Sequence, residues 1–317
     1  MRVLRSVPRA ASSPIALTIG NFDGVHLGHQ AMLSRLRDAA RERGLPPCAM
    51  TFEPHPREFF APDQAPARLT SLREKLELLA EQGLERAYVL RFDYRLAQVP
   101  ADEFVERVLV RGLGVRYLLV GDDFRFGARR SGDFTLLKSR AAELGYEVDA
   151  MTSVIVGDER ASSTAVRKAL EQGEITRAAQ LLGRPYSISG TVVHGDALGR
   201  ELGYPTANVR IAHNRPPLMG IFAVEVQRAN AAPARGVASL GVRPTVKQHG
   251  EPVLEVFLLE FEGDLYGARV RVDFLHKFRD EQKFADLTAL KAQITADVAE
   301  TRAYFARLDA APRARLG

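Results

Sequence analysis

The chain has 317 residues, a length that predicts two domains of roughly 150 residues each rather than a single core. Apolar residues at 46% and charged residues at 26% are those of an ordinary folded protein, and the lack of Gly/Ser-rich, Gln-rich or long like-charge tracts excludes a disordered or fibrous chain. A net charge of +5 fits small anionic substrates; the arginines are scattered, with no dense basic block or aromatic RNA-binding signature, so no nucleic-acid partner is expected.

The N-terminal MRVLRSVPRAASSP is rich in arginine and free of acidic residues, as transit peptides are. No apolar core precedes the first expected strand, and the stretch is not read as a targeting segment. That strand is IALTIG, from Ile15. A helix follows from about Gly28 to Arg43, with Met32, Leu33, Leu36 and Ala40 at helical spacing. CAMTF is the next strand and ends in the turn-rich EPHP. It holds Cys48, the one cysteine, which has no second thiol in the chain to pair with and points to a reducing, cytoplasmic setting. SLREKLELLAEQG reads as a helix stopped by Gly83, RAYVLRF as a strand, ADEFVERVLVRGLG as a helix and VRYLLVG as a strand. GDFTLLKSRAAELG and EVDAMTSVIV repeat the helix and strand. Such alternation up to about Leu182 predicts a parallel sheet covered on both faces, with its binding edge at the carboxyl ends of the strands.

Beyond GRPYSISG the texture changes. From Ser187 to about Phe278 the short runs SGTVVHG, TANVRI, IFAVEVQ, RGVASLG, VLEVFLLEF and RVRVDFLHKF are separated by Gly, Pro and Asn clusters, the pattern of a small antiparallel barrel. A terminal helix carrying Phe284, Leu287, Leu290, Ile294 and Val298 on one stripe is expected to lie against the barrel. FLHKFRDEQKF, with its alternating charges, reads as a solvated junction between barrel and helix with a lid-like contribution. The expected domains are residues 1–186 and 187–317. No apolar run reaches the roughly 18 residues of a membrane span, so no membrane partner is expected, and nothing in the sequence sets the oligomeric state.

The stretch TIGNFDGVHLGHQ puts His26 and His29 between the first strand and the first helix. A turn built on Gly20, Asp23 and Gly24 leads into the helix, whose first N–H groups lack intrahelical partners and, with the helix dipole, favour an anion. Residues three apart share a helical face, so both rings can donate to one phosphate chain, and Gly28 between them permits close approach of a nucleotide. Zinc would need three or four ligands, and no cysteine or further histidine stands at ligand spacing; two unrelated structural histidines are the plain alternative. SSTAVRKAL is a second helix start. There Ser162, Ser163 and Thr164 can cap the helix and meet phosphate oxygens while Arg167 offers a planar fork, although the same string serves an ordinary capped helix. GDDFRFG lies at the carboxyl end of a strand, the expected binding edge. His55, between prolines in EPHP, sits in a rigid loop that by itself is no more than a turn.

No G-x-x-x-x-G-K-[ST] phosphate loop occurs in the chain, which excludes a P-loop kinase. The second half instead holds GTVVHGDALGRELGYPTANV, where a loop punctuated by Gly195, Gly199 and Gly203 leads through Pro205 to Thr206 and Asn208. Two residues apart on an extended segment, these last side chains share a face and can offer oxygens to one hard cation; a polar-faced strand is the alternative.

GNFDGVHLGH resembles the signature of the nucleotidylyltransferase superfamily. TFEPHP, GDDFRFG and SSTAVR follow in the order and rough spacing of the adenylylating half of the bacterial bifunctional riboflavin kinase/FAD synthetases. The likeness spans nearly the whole chain. It implies a Rossmann-like α/β nucleotidylyltransferase domain with a parallel sheet, then a small antiparallel β-barrel kinase domain and a C-terminal helix. On the first half it implies that His26, His29 and Arg167 stabilise the phosphates of ATP while the FMN phosphate attacks the α-phosphate, yielding FAD and pyrophosphate. It further implies ATP or FMN contacts from Gly20, Asn21, Phe22, Asp23, Gly24, Gly28, His55, Asp123, Phe126, Ser162, Ser163 and Thr164, with Asp123 standing where some relatives carry asparagine.

The second half is similar to riboflavin kinase. The resemblance implies that Thr206 and Asn208 hold Mg2+ and ATP phosphates, beside Gly195, Gly199, Gly203 and Pro205. It also implies that Glu255, in LEVFLLEFEGDLYG, takes the proton from the 5′-hydroxyl of riboflavin. Among the apolar Leu254, Val256 and Leu258, a partly desolvated carboxylate holds its proton more tightly, which suits a base; a solvent-facing strand carboxylate is the alternative. Phe257 stands where histidine is expected, and Ser239 where relatives tend to show asparagine. The expected function is flavin cofactor synthesis from riboflavin, FMN and ATP; a nucleotidylyltransferase for another phosphate ester, with a non-catalytic barrel, is the alternative.

Overall fold

Apolar segments of the first half line up side by side in the computed structural model, which describes residues 1–195, 198–212, 215–243 and 251–310. Strands β1 (Arg2–Leu4) and β2 (Ile15–Ile19) precede helix α1 (Leu27–Glu42). Strand β3 (Pro47–Glu53) is followed by α2 (Pro56–Phe60) and α3 (Leu72–Glu81), and β4 (Arg86–Arg91) by α4 (Tyr94–Ala97) and α5 (Ala101–Glu103). The last of these runs on as a π-helix over Phe104–Gly112, where the Leu113 N–H reaches back five residues to the Val108 carbonyl. Then come β5 (Val115–Gly121), α6 (Phe134–Leu144), β6 (Glu147–Met151) and a ribbon of β7 (Ile155–Val156) and β8 (Glu159–Arg160).

The sheet is parallel throughout, in the order β1-β4-β3-β2-β5-β6. Successive strand residues serve two cores: Ile15, Leu17 and Ile19 pack with Met50, Leu118 and Leu109 on one face, and Ala16 packs with Leu33, Leu36 and Leu79 on the other. Chain order reverses at β2, with β3 and β4 on one side and β5 and β6 on the other, so a crevice opens at the carboxyl ends of β2 and β5.

Two expectations change here. Arg2–Leu4 is a strand, paired in parallel with Arg86–Tyr88 at the sheet edge; three residues are too few to show a period in the sequence. EVDAMTSVIV is not one strand, since the sheet ends at Met151 and Ile155–Val156 turns back on Glu159–Arg160. Gly157, at φ +60, supplies the left-handed residue that this tight turn uses.

Contacts divide the chain into one unit of residues 1–66 and 70–163 and a second of residues 67–69 and from Thr164 on. Helices α7 (Ser163–Glu171) and α8 (Ile175–Leu182) therefore group almost wholly with the second unit, ahead of the boundary expected at Tyr186. They lead into β9 (Tyr186–Val193), α9 (Leu198–Glu201), β10 (Thr206–Ile211), β11 (Gly220–Arg228), β12 (Ala231–Arg243), β13 (Glu251–Leu258), β14 (Arg269–Arg279) and α10 (Leu287–Ala310). The strands close into an antiparallel barrel in the order β10-β13-β12-β11-β14-β9, and α8 packs on β9 and β14. Alternate residues such as Leu254, Val256, Val272 and Phe274 are buried in it.

Helix α10 covers one outer face, where Ile294 and Val298 meet Ile221, Val237, Tyr204 and Phe257. Its buried stripe differs from the expected one. The Asp286 carboxylate caps the helix by accepting from Ala289 N–H at 2.8 Å, so Phe284 precedes it and Leu287, in the first turn, is 56% exposed. Asp297, Val298, Thr301 and Phe305 are the buried positions.

Candidate active sites

At the end of β2 the chain makes a costly turn: Phe22 and Val25 take φ of +48° and +42° with both side chains fully buried. A clasp holds it. The buried Asp23 carboxylate accepts from the backbone N–H and the hydroxyl of Thr70, each at 3.0 Å, and Gly24 N–H donates to the same hydroxyl at 3.2 Å. From the other side Ser163 Oγ donates to the Asp23 carbonyl at 2.9 Å.

The turn delivers His26 to the N-cap of α1 and His29 to its first turn, where the two rings stack with centroids 3.7 Å apart at 26°. A side chain on Gly28 would press within 3.1 Å of the His26 ring and 3.2 Å of the Ala161 carbonyl. Gly28 thus makes room for a histidine ring as well as for any ligand. His29 also lies over Phe22, centroid to centroid 5.2 Å. Burial, then the His26 ring and the Lys75 ammonium, hold the His29 imidazole well below its ordinary range, so at neutral pH it is an uncharged donor–acceptor. Its Nδ1 is buried with no hydrogen-bond partner among the described residues.

Beside the pair opens a cleft of about 220 Å³ at the point where strand order reverses. Gly20, Phe22, His26, Gly28, His29, Asp123 and Ser162, all predicted, meet there. Asn21, Asp23, Gly24 and Ser163 build or brace the turn behind it; the Asn21 carbonyl accepts from Thr51 Oγ1 at 3.3 Å. Phe126 requires correction: it is 7% exposed, packed between Phe104 and Phe124, and its ring fills the space that Gly132 leaves. Phe124 is the aromatic that lines the cleft.

His55 turns out to cap α2, with Nδ1 accepting from Arg57 N–H at 3.0 Å and its own N–H donating to Glu58 at 3.1 Å. Thr164 is exposed on the first turn of α7. Arg167, on the next turn, donates from Nε to the Ala67 carbonyl at 2.6 Å within the second unit. Met32, Ser153 and Arg160 line the cleft without having been foreseen. Arg160 donates to Asp123 at 2.8 Å from the β7–β8 ribbon, and a single arginine in so short a ribbon has no spacing that marks it.

A second cleft, of about 430 Å³, lies on the outer face of the barrel under α10. Across the strands Asn208 stands opposite Glu255, and Glu255 opposite Ser239, so these three form a row on that face while Leu254 and Val256 turn inward. Gly199, Thr206, Asn208, Glu255 and Ser239 all line the cleft. Gly195 lies so close against the Asn208 amide that any side chain there would displace it, and Gly203, at φ +91, makes the turn ahead of Tyr204. With Pro205 these two shape the loop rather than line the cleft; its Asp196 and Ala197 lie outside the described residues.

Sequence reasoning missed Tyr204, Arg279, Glu281 and Asp297 as lining residues. The Tyr204 hydroxyl bonds Thr295 at 2.8 Å and its ring meets the edge of Phe257 at 5.4 Å, so the departure at Phe257 forms an apolar wall. Among the described residues no group of three or more His, Cys, Asp or Glu is placed to hold a metal alone. The oxygens of Thr206, Asn208 and Glu255 are a hard donor set of the kind that Mg2+ shares with substrate phosphates.

Residues 9–165 match the family model described as FAD synthetase, and residues 182–305 that described as riboflavin kinase. Over 308 residues, 96% of this chain and 98% of the relative, the chain is 48% identical to a bifunctional riboflavin kinase/FMN adenylyltransferase of Escherichia coli (strain K12). A protein of the same description from Pseudomonas fluorescens is 51% identical over 91% of this chain and 92% of its own. A solved structure from Streptococcus pneumoniae, described as a macrolide-efflux protein, superposes with a TM-score of 0.81 at 29% identity, over 95% of this chain and 99% of that one. Among the described residues no helix is long and apolar enough to cross a membrane.

Proposed function

The chain belongs to the family of bifunctional riboflavin kinase/FMN adenylyltransferases, and from that premise we propose which residues carry each activity. Riboflavin is phosphorylated to FMN at the barrel cleft, within residues 187–317, and FMN is adenylylated to FAD at the sheet cleft, within residues 1–186. The observation that carries the division is that two separate clefts each gather their own predicted chemical groups: His26 and His29 in one, Thr206, Asn208 and Glu255 in the other.

For adenylylation, an oxygen of the FMN phosphate attacks the α-phosphorus of ATP, the bond from that phosphorus to the β-bridging oxygen breaks, and pyrophosphate leaves. No protein nucleophile takes part, so positioning and charge stabilisation supply the rate. His26 and His29 stand at the N-terminus of α1, where helix dipole and ring N–H groups favour the developing charge. Arg167 contributes a fixed cation from α7, and Gly20, Gly28 and Ser162 line the approach.

For phosphorylation, the riboflavin 5′-hydroxyl oxygen attacks the γ-phosphorus of ATP while Glu255 takes its proton, and ADP leaves. Thr206 and Asn208, beside Glu255 on the neighbouring strand, would hold Mg2+ and phosphate oxygens. When bound, the cation neutralises phosphate charge. The apolar end of the cleft, with Tyr204, Phe257 and Ile294, suits a planar aromatic ring system. Cys48 is buried and its thiol is pushed up to about 12 by that burial, an inert form suited to a reducing cytoplasm, where we place the protein.

Chromatography of the flavins formed from riboflavin, ATP and Mg2+ tests the reading. FMN should precede FAD in the parent, Glu255→Gln should form no FMN from riboflavin yet convert added FMN to FAD, and His29→Ala should stop at FMN. Kinase turnover unchanged by Glu255→Gln, or one variant losing both activities, would refute the division.

A further inference from the structure

FLHKFRDEQKF, expected to be a solvated junction, is bolted down by a buried ion pair. Arg279, the last residue of β14, donates from Nε to Asp297 Oδ1 at 2.9 Å and from Nη2 to Oδ2 at 2.7 Å. Asp297 is 5% exposed, and Gln293, one turn earlier on α10, donates to its Oδ1 at 2.9 Å. The third arm of the same guanidinium, Nη1, donates to the Asp280 carbonyl at 2.9 Å. One planar group therefore joins the strand end, the segment after it and the C-terminal helix. A two-pronged pair fixes angle as well as distance.

The joined parts face the phosphorylation chemistry. Beyond Arg279 the chain presents Glu281, which accepts from Ser239 Oγ at 3.2 Å and lies against Gly241, and then Phe284 at the cleft wall. Ser239 stands opposite Glu255 in the strand register. From the helix, Leu290, Ile294 and Asp297 close the same cleft. A buried ion pair adds little net stability over an apolar pair of similar volume, so its retention here calls for a geometric reason. We propose that Arg279 and Asp297 are positioning residues for riboflavin phosphorylation, their ion pair setting the 280–284 segment and α10 as the wall that holds riboflavin opposite Glu255. This rests on the reading of Glu255 as the kinase base.

The decisive variant is the double change Arg279→Met/Asp297→Leu, which fills the space without a fork. In the full-length protein with Mg2+ and ATP, it should melt close to the parent and adenylylate FMN at the parental rate. Its KM for riboflavin should rise about tenfold or more, with a smaller change in kcat and in KM for ATP, as expected when a reactant is misplaced by about an ångström. A parental riboflavin KM in a double variant that melts like the parent overturns the proposal. If the double variant unfolds, Arg279→Lys decides: it keeps the charge and loses the fork, so a raised riboflavin KM supports the proposal and a parental one overturns it. Glu255→Gln, assayed alongside, separates the two claims, since kinase activity retained there refutes the assignment of the base whatever the Arg279 variants do.

Discussion

Replacing Asp23 by alanine should loosen the turn that presents both histidines. The parent carboxylate accepts two hydrogen bonds from Thr70 at 3.0 Å, and both residues are buried. Hydrogen bonds to a charged group contribute about 1.5–3 kcal/mol each, and an orphaned buried N–H costs about 1–3 kcal/mol, so with partial overlap of these terms the loss is about 3–5 kcal/mol. For a unit of this size, each kcal/mol lowers the melting temperature by about 2–4 °C, which predicts a drop of about 10 °C. Asp23→Asn keeps an acceptor oxygen without its charge and should lose only about 1 kcal/mol. Scanning calorimetry reads the melting of the sheet unit, and FMN adenylylation and riboflavin phosphorylation are measured on the same samples. Adenylylation should fall steeply in Asp23→Ala while phosphorylation persists. If Asp23→Ala melts with the parent and adenylylates at the parental rate, the clasp carries neither stability nor geometry and the reasoning is wrong.

Other outcomes follow from the same contacts. The folded His29 resists a proton that the unfolded chain accepts near pH 6.5, so its contribution is complete above pH 6.5. As pH falls below 6.5 toward the lower folded value, stability should decline by up to about 1.4 kcal/mol per pH unit, and denaturant melts at stepped pH should show His29→Asn declining less; equal slopes would contradict the assignment. Gly195→Ala should push the Asn208 amide aside and cut riboflavin phosphorylation about tenfold or more with FMN adenylylation intact, because side-chain placement of this kind controls reactant geometry; undiminished phosphorylation would show that Asn208 needs no such backing.

Much of the architecture was legible because burial imposes a period. Ile15, Leu17 and Ile19 and the α1 residues Leu33, Leu36 and Ala40 announce their faces directly, and the barrel strands alternate as Leu254, Glu255 and Val256 do. What escaped the sequence depends on distant partners. Arg2–Leu4 is a strand only because β4 offers an edge, and Leu287 is exposed because Asp286 starts the helix one residue ahead of it. The sites divide in the same way. Motif residues such as His26, His29, Thr206 and Asn208 were found from local context, whereas Arg160, Arg279 and Asp297 act through pairings 18 or more positions away. His55 and Phe126 were singled out as ligand contacts, but a helix cap and a core contact claim them.

Complementation between variants tests the two-site account most directly. His29→Ala and Glu255→Gln chains are each incubated with riboflavin, ATP and Mg2+, alone and mixed, and the flavins are separated. The account predicts that His29→Ala stops at FMN, that Glu255→Gln leaves riboflavin untouched, and that the mixture makes FAD, since FMN released by one chain feeds the other. A mixture that makes no FAD, with Glu255→Gln also unable to adenylylate added FMN, would contradict the claim that the two reactions run on separate sets of residues.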